Sequence, residues 1–319
     1  MRTVIRRVLL AVVAVVGIGA FVSEVWPEPT ADMLMAGVSA AAGLRSDTVV
    51  TEAGPVGYMS GGAGETVVFL HGIFAMKEHW IDMSRALSGD YRVVLLDLPG
   101  FGSNLDTKWR DYTPEGRARL IIGVADELNV SCFVVLGHSM GGVIASLFAG
   151  TFADKVQSLT LLDSLGPMTS QAADTPKQLA KAILDVQRTS SPLRVFSEIT
   201  EALQARKKSS PEMSDEALLP IVERNLKQSQ QGFSWRTDAR LRHASKVRLT
   251  EEQVMAFLGA IDVPVLVIMA EQGIVPKAWV EQRMEGLKKA QLVYVPGHHH
   301  FHAEWSGAEA ICRHIINAE

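Results

Sequence analysis

The stretch Gly137-His138-Ser139-Met140-Gly141, followed by Gly142, sets one serine among glycines. A serine hydroxyl is a weak nucleophile until a nearby base takes its proton. Its flanks give this serine a setting for that chemistry. The apolar run Phe133 to Leu136 reads as a buried strand leading in, and the small-residue stretch Val143 to Gly150 reads as a helix leading out. A sharp strand-to-helix turn lifts the hydroxyl above a sheet, and glycines on both sides relieve the crowding. The first turn of the helix favours developing negative charge. Ser139 is the candidate nucleophile.

A base, an acid and an oxyanion site must accompany it. The segment Pro296-Gly297-His298-His299-His300-Phe301-His302-Ala303-Glu304 follows the last apolar run and supplies four histidines. His299 is taken as the base, with His298 as the alternative. A metal site is not expected there, because consecutive histidines do not converge on one ion and no carboxylate or cysteine cluster completes a set. Two acids compete to orient the base. Asp163 ends the run Leu159 to Leu162 and has a short, stiff side chain; Glu271 follows the run Val265 to Met269. Asp163 is preferred and Glu271 is kept as the alternative. The motif His71-Gly72-Ile73-Phe74 follows the run Val67 to Leu70, where the Ile73 and Met140 backbone N–H groups are placed to hold an oxyanion. His71 itself reads as a structural histidine. Asp97, before a Pro-Gly turn, reads as a residue that fixes its loop.

These residues require a scaffold that delivers them to one edge. Thr48 to Thr51 and Pro55 to Met59 read as an opening hairpin. The runs Val67 to Leu70, Val93 to Leu96, Phe133 to Leu136, Leu159 to Leu162, Val265 to Met269 and Leu292 to Val295 do not alternate in polarity, as expected of parallel strands buried on both faces. Helical stretches between them imply right-handed crossovers and a doubly wound, mostly parallel α/β sheet. From about Pro167 to Thr250 no strand is evident, and the segment reads as an inserted helical cap. The expected organisation is an N-terminal segment over 1–30, a short helix or linker over 31–46, core over 47–166, cap over 167–250 and core again over 251–319. Its basic stretch Arg236, Arg240, Arg242, Lys246 and Arg248 reads as a solvated face, with carboxylate or anionic-lipid binding as the alternative.

The chain has 319 residues, 47% hydrophobic and 21% charged, with a formal net charge of −4. That composition suits a globular fold with a large core and gives no basic bias toward nucleic acid. Cys132 and Cys312 lack metal-ligand spacing and read as two buried small hydrophobes, with a disulfide as the alternative. Near the start, Arg2, Arg6 and Arg7 precede an uncharged run from Val8 to Val22, which extends toward Trp26. This reads as an uncleaved signal-anchor over 8–26, holding the rest of the chain on the outer face of the inner membrane; a cleaved signal peptide and a periplasmic or secreted product is the alternative. Residues Ala31 to Leu44 read as a small-residue helix.

Taken together, the stretches HG, DLPGFG, GHSMGG and GHHHFH resemble the α/β-hydrolase superfamily from about Asp47 to the C-terminus. ETVVFLHG, YRVVLLDLPGFG and GHSMGG are similar to bacterial membrane-anchored or secreted lipases and esterases of the monoacylglycerol lipase type. LLDSLGP, WRTDARLR, LTEEQVMAFL, AEQG and PGHHHFHAE are similar to the serine hydrolase-like branch. The resemblance implies a Ser-His-Asp triad that cleaves a small-molecule ester or lipid without cofactor or metal. It places the base five residues before Glu304, at His299. Many members carry an aspartate in the loop that here reads AEQG; others place it after the sixth strand, where Asp163 stands. Carbon–carbon bond hydrolysis or perhydrolysis on the same triad, and a non-catalytic anchored binding protein, are the alternatives. Oligomeric state is left open.

Overall fold

A computed structural model describes residues 36–52, 54–105, 112–188, 193–243 and 245–318. The expected signal-anchor over 8–26 lies outside the described residues. Among the described residues, no helix is long and apolar enough to cross a membrane.

The main sheet has eight strands: β1 (Arg45–Thr51), β2 (Gly54–Gly61), β3 (Glu65–Leu70), β4 (Tyr91–Leu96), β5 (Phe133–His138), β6 (Val156–Leu162), β10 (Val265–Gln272) and β11 (Ala290–His298). Their spatial order is β1-β2-β4-β3-β5-β6-β10-β11. The six strands from β4 to β11 in that order run parallel, and β1 and β2 pair antiparallel as the opening hairpin. The doubly wound, mostly parallel sheet expected from the unalternated runs is present. Those runs are buried because helices cover the sheet: Val68, Leu70, Val94, Leu96, Phe133, Val135, Leu159, Leu161, Val265 and Val267 share one core with helical Leu120, Ile144, Phe148 and Leu258.

From β3 the chain crosses to β4 on one side, then to β5 on the other. Ligands of open α/β sheets bind outside the strand C-termini at such a reversal. The helices of this unit are α1 (Ile81–Leu87), α2 (Pro114–Glu127), α3 (Met140–Thr151), α4 (Thr175–Arg188), α7 (Glu251–Ala260), α8 (Lys277–Met284) and α9 (Trp305–Asn317).

The chain divides into two compact units, and the sheet belongs to the larger, residues 42–193 with 236–319. Described residues of the smaller are 36–41 and 194–235. Helices α5 (Ile199–Lys207) and α6 (Asp215–Asn225) accompany a three-stranded antiparallel sheet, β7 (Val195–Phe196), β9 (Gly232–Trp235) and β8 (Leu226–Ser229). This corrects the expectation that 167–250 holds no strand. The segments are two to four residues long and β8 reads LKQS with one buried residue, too short and polar to show a period. Phe196 anchors the sheet, buried edge-on against Trp235 at 5.3 Å.

A second correction concerns Cys132, which is exposed; it precedes β5 rather than opening it. Cys312 is buried, and both thiols are free. Burial pushes the Cys312 thiol up to about 12.

Candidate active site

Strand β5 ends at His138 and α3 begins at Met140, leaving Ser139 as the residue between them. It adopts φ +51° and ψ −118°, a conformation that L side chains reach only when the surroundings impose it. Close backbone approach is the cause. A Cβ on Gly141 would run into the Leu70 and His71 carbonyl oxygens, and one on Gly137 would meet Gly141 and Gly142 at 2.5–2.7 Å. The glycines of the motif therefore let α3 start directly against the end of β3. The Ser139 amide donates to the Leu162 carbonyl at 3.1 Å, tying the turn to β6.

His299 Nε2 lies 3.0 Å from Ser139 Oγ, and His299 Nδ1 lies 2.5 Å from Asp163 Oδ2. A carboxylate oxygen accepts, so Nδ1–H donates to Asp163, and Nε2 is left to accept from the serine hydroxyl. Asp163 and His299 are buried, while Ser139 is half-buried. Asp163 Oδ1 also accepts from the Ala270 amide at 3.3 Å, and Oδ2 from the Ile274 amide at 3.2 Å. Gly273 admits the carboxylate: any Cβ there would collide with all three carboxyl atoms of Asp163.

The two alternatives lie elsewhere. Glu271 is exposed near the end of β10, while His299 takes its carboxylate from Asp163. His298 faces Glu304, with 3.5 Å between Nε2 and Oε1, and its Nδ1 accepts from the His300 amide at 3.1 Å. Adjacent residues of a strand end point to opposite sides, so only one of this pair can address Ser139.

Met140 opens α3, so its amide is one of the first-turn donors that no helical carbonyl can serve. Ile73 follows Gly72, where an added Cβ would lie 3.3 Å from Ser139 Cβ, so this loop runs directly beside the elbow. The next residue, Phe74, has φ +58°. The Ile73 side chain is exposed, as is that of Ile274.

His71 is fully buried and serves the loop. Its Nδ1 donates to the Gly72 carbonyl at 2.8 Å and its Nε2 accepts from the Leu98 amide at 2.9 Å. Burial holds this imidazole down at about 4, and so neutral at pH 7. Asp97 fixes the neighbouring turn, as its position suggested. It accepts from the Lys77 ammonium at 2.5 Å, the Lys77 amide, and the Ser103 amide and hydroxyl. Burial alone would raise its carboxyl; Lys77, His71 and Ser103 hold it well below the usual carboxylate range. In the basic stretch, Arg240 pairs with Asp238 through Nε to Oδ1 and Nη2 to Oδ2, and Tyr112 also donates to that carboxylate. Against the effect of burial, Arg240 and Tyr112 hold Asp238 down at about 2.

Sequence reasoning passed over two residues. Gly273 was visible only as one glycine of a loop, because its task depends on a side chain 110 positions earlier. His138 occupies a place in Gly-x-Ser-x-Gly that the turn leaves unspecified. It is fully buried, and its Nε2 lies 2.7 Å from the His299 carbonyl oxygen. Among the described residues, no group of three or more His, Cys, Asp or Glu side chains is arranged to hold a metal ion.

Residues 65–304 match the model of a family described as alpha/beta hydrolase fold. A serine hydrolase-like protein of Danio rerio is 25% identical over 264 residues, covering 75% of this chain and 77% of that protein. Among solved structures, a hypothetical protein of Pseudomonas aeruginosa PAO1 superposes with a TM-score of 0.78 at 29% identity, over 84% of this chain and 96% of that one. A membrane phospholipase A described as a bacterial virulence factor has a TM-score of 0.69 at 22% identity, over 98% of this chain and 99% of that one. At that identity the likeness concerns the fold.

Proposed function

The chain belongs to the alpha/beta hydrolase fold family, and from that premise we propose that it is a serine hydrolase of carboxylic esters acting through an acyl-enzyme. The observation that carries this proposal is the continuous contact Ser139 Oγ, His299 Nε2, His299 Nδ1, Asp163 Oδ2, at 3.0 and 2.5 Å.

The steps follow from which atom can give or take a proton. His299 Nε2 takes the hydroxyl proton of Ser139 as Oγ attacks the ester carbonyl. Charge passes to the carbonyl oxygen, which the Ile73 and Met140 amides stabilise. Removing one such donor in other enzymes costs on the order of 10²–10³-fold in rate. Collapse breaks the bond to the alkoxide, and His299 returns the proton to the leaving alcohol. Water then repeats the sequence on the acyl-serine, and the acid product leaves with Ser139 protonated again. Asp163 keeps the Nδ1–H tautomer throughout and stabilises the imidazolium formed at each step.

The exposed Ile73 and Ile274 side chains belong to residues whose backbone flanks the triad, which supports an apolar acyl or alkyl group beside the scissile bond. A lipid-like ester fits that apolar surface. Membrane anchoring through residues 8–26 completes this reading as a proposal from the sequence.

The test is hydrolysis of p-nitrophenyl butyrate together with labelling by a fluorophosphonate probe. The wild type is expected to turn over the ester and to label. Ser139→Ala is expected to lose the label and on the order of 10⁴–10⁶-fold in kcat. Full activity in Ser139→Ala would rule out the mechanism.

A further inference from the structure

The residue before the nucleophile takes no part in the steps above, yet it sits among them. His138 is fully buried, with its ring centroid 4.6 Å from that of His299 and 3.9 Å from that of His302. Trp80 lies 4.6 Å from His302 and meets His138 edge-on at 6.5 Å. An imidazole is a costly filler for such a position, because each ring nitrogen without a hydrogen bond forfeits its hydration. One of its nitrogens is used. A carbonyl oxygen only accepts, so the 2.7 Å contact to the His299 main chain means that His138 Nε2 carries the proton. Nδ1 is then a bare lone pair, and it has no hydrogen-bond partner among the described residues. It faces Gly72, where an added Cβ would come within 2.9 Å of it.

We propose that His138 is a positioning residue for His299, holding the main-chain carbonyl of the base so that two consecutive residues of one turn grip it, Ser139 at the side chain and His138 at the backbone. This inference rests on the triad mechanism proposed above.

The arrangement has a physical consequence for the base. His299 lies at the start of a loop, just past the end of β11, and loop positions drift more than strand positions do. A contact from the nucleophile's own neighbour fixes the separation between base and hydroxyl directly, rather than through the span of the sheet. A misplacement of about 1 Å between reacting groups costs on the order of 10²-fold in rate. Burial and the nearby histidines also hold His138 and His302 well below the ordinary histidine range. When His299 becomes an imidazolium, it meets neutral rings rather than further cations.

The test compares two side chains of equal length. His138→Gln keeps an N–H donor close to the Nε2 position, and His138→Met removes it. His138→Met is expected to lower kcat about 10–100-fold with KM changed less than about twofold, the size set by a displaced base. His138→Gln is expected to retain kcat within about threefold. Full kcat in His138→Met, or equal losses in both variants, would overturn the inference. Should His138→Met fail to fold, histidine-selective 15N spectra of the wild-type full chain decide: a proton on Nε2 supports the contact, and the Nδ1–H tautomer overturns it. Fluorophosphonate labelling of the wild type separates this outcome from the broader one. No label would overturn the nucleophile reading itself, whereas a labelled wild type with a fully active His138→Met would overturn only the role given to His138.

Discussion

Asp163 adopts φ +43°, Ser139 φ +51° and Phe74 φ +58°. Each such residue costs on the order of 1–3 kcal/mol. All three follow strand ends, β6, β5 and β3, which are successive neighbours in the sheet beside its reversal. Strain of this kind persists only where neighbours over-determine the backbone. At Asp163 those neighbours are the Ile268 carbonyl, which accepts from its amide, and the two amides that hold its carboxylate. Asp163→Asn should keep the fold and lose both the charge that stabilises the imidazolium and the assured Nδ1–H tautomer, because one of the two carboxylate acceptors becomes an NH2 donor. A fall of about 10⁴-fold in kcat is expected, the scale seen when a triad aspartate becomes asparagine. Glu271→Gln should stay within about twofold of wild type, since that side chain is exposed and the base takes its carboxylate from Asp163. Parallel ester-hydrolysis assays check both; a collapse in Glu271→Gln with an active Asp163→Asn would move the acid to β10.

Among the elements, those with a strong local pattern were legible. Every unalternated apolar run became a parallel strand; in β3, β4, β5, β6 and β10 burial on both faces leaves no polar position to break the run, while β11, at the sheet edge, is half-buried. The small-residue stretch after Ser139 became α3, where glycine and alanine let backbones approach. The pattern failed where contacts are long-range. Strands β7, β8 and β9 are too short to show a period, and the choice between Asp163 and Glu271 depended on Gly273, whose purpose appears only once β6 and β10 are neighbours. The loop after β6 has its own support. Arg283 on α8 is buried, donates to the Leu165 carbonyl at 2.6 Å and binds Glu251 at the start of α7 through two bonds of 2.8 Å. Arg283→Met would strand the Leu165 carbonyl and free Glu251, a partly exposed partner. A loss of about 2–3 kcal/mol is expected, read as a lower urea midpoint with an unchanged slope. An unchanged midpoint would show that this contact does not hold the loop.

At the scale of the molecule, three fully buried histidines among the described residues, His71, His138 and His302, are held below their unfolded value near 6.5. The unfolded chain therefore binds more protons than the folded one at mildly acidic pH. Stability from these groups is complete above about pH 6.5 and declines as pH falls toward the folded values. For His71, held at about 4, the full decline amounts to about 3 kcal/mol. Urea unfolding followed from pH 7.5 to 4.5 should show a falling midpoint, with His71→Gln flattening part of the slope. A midpoint independent of pH in that range would contradict the neutral burial of these rings. The acidic arm continues below that range, as Asp97 and Asp238 lose their partners' stabilisation on protonation.

The collision between Gly273 and the Asp163 carboxylate also bears on descent. Strands β6 and β10 lie side by side, so a side chain on Gly273 would reach the space that Asp163 fills. The acid thus has one seat with an entrance from either strand. Two substitutions, one emptying position 163 and one filling position 273, would let a lineage hand the carboxylate across without moving serine or histidine.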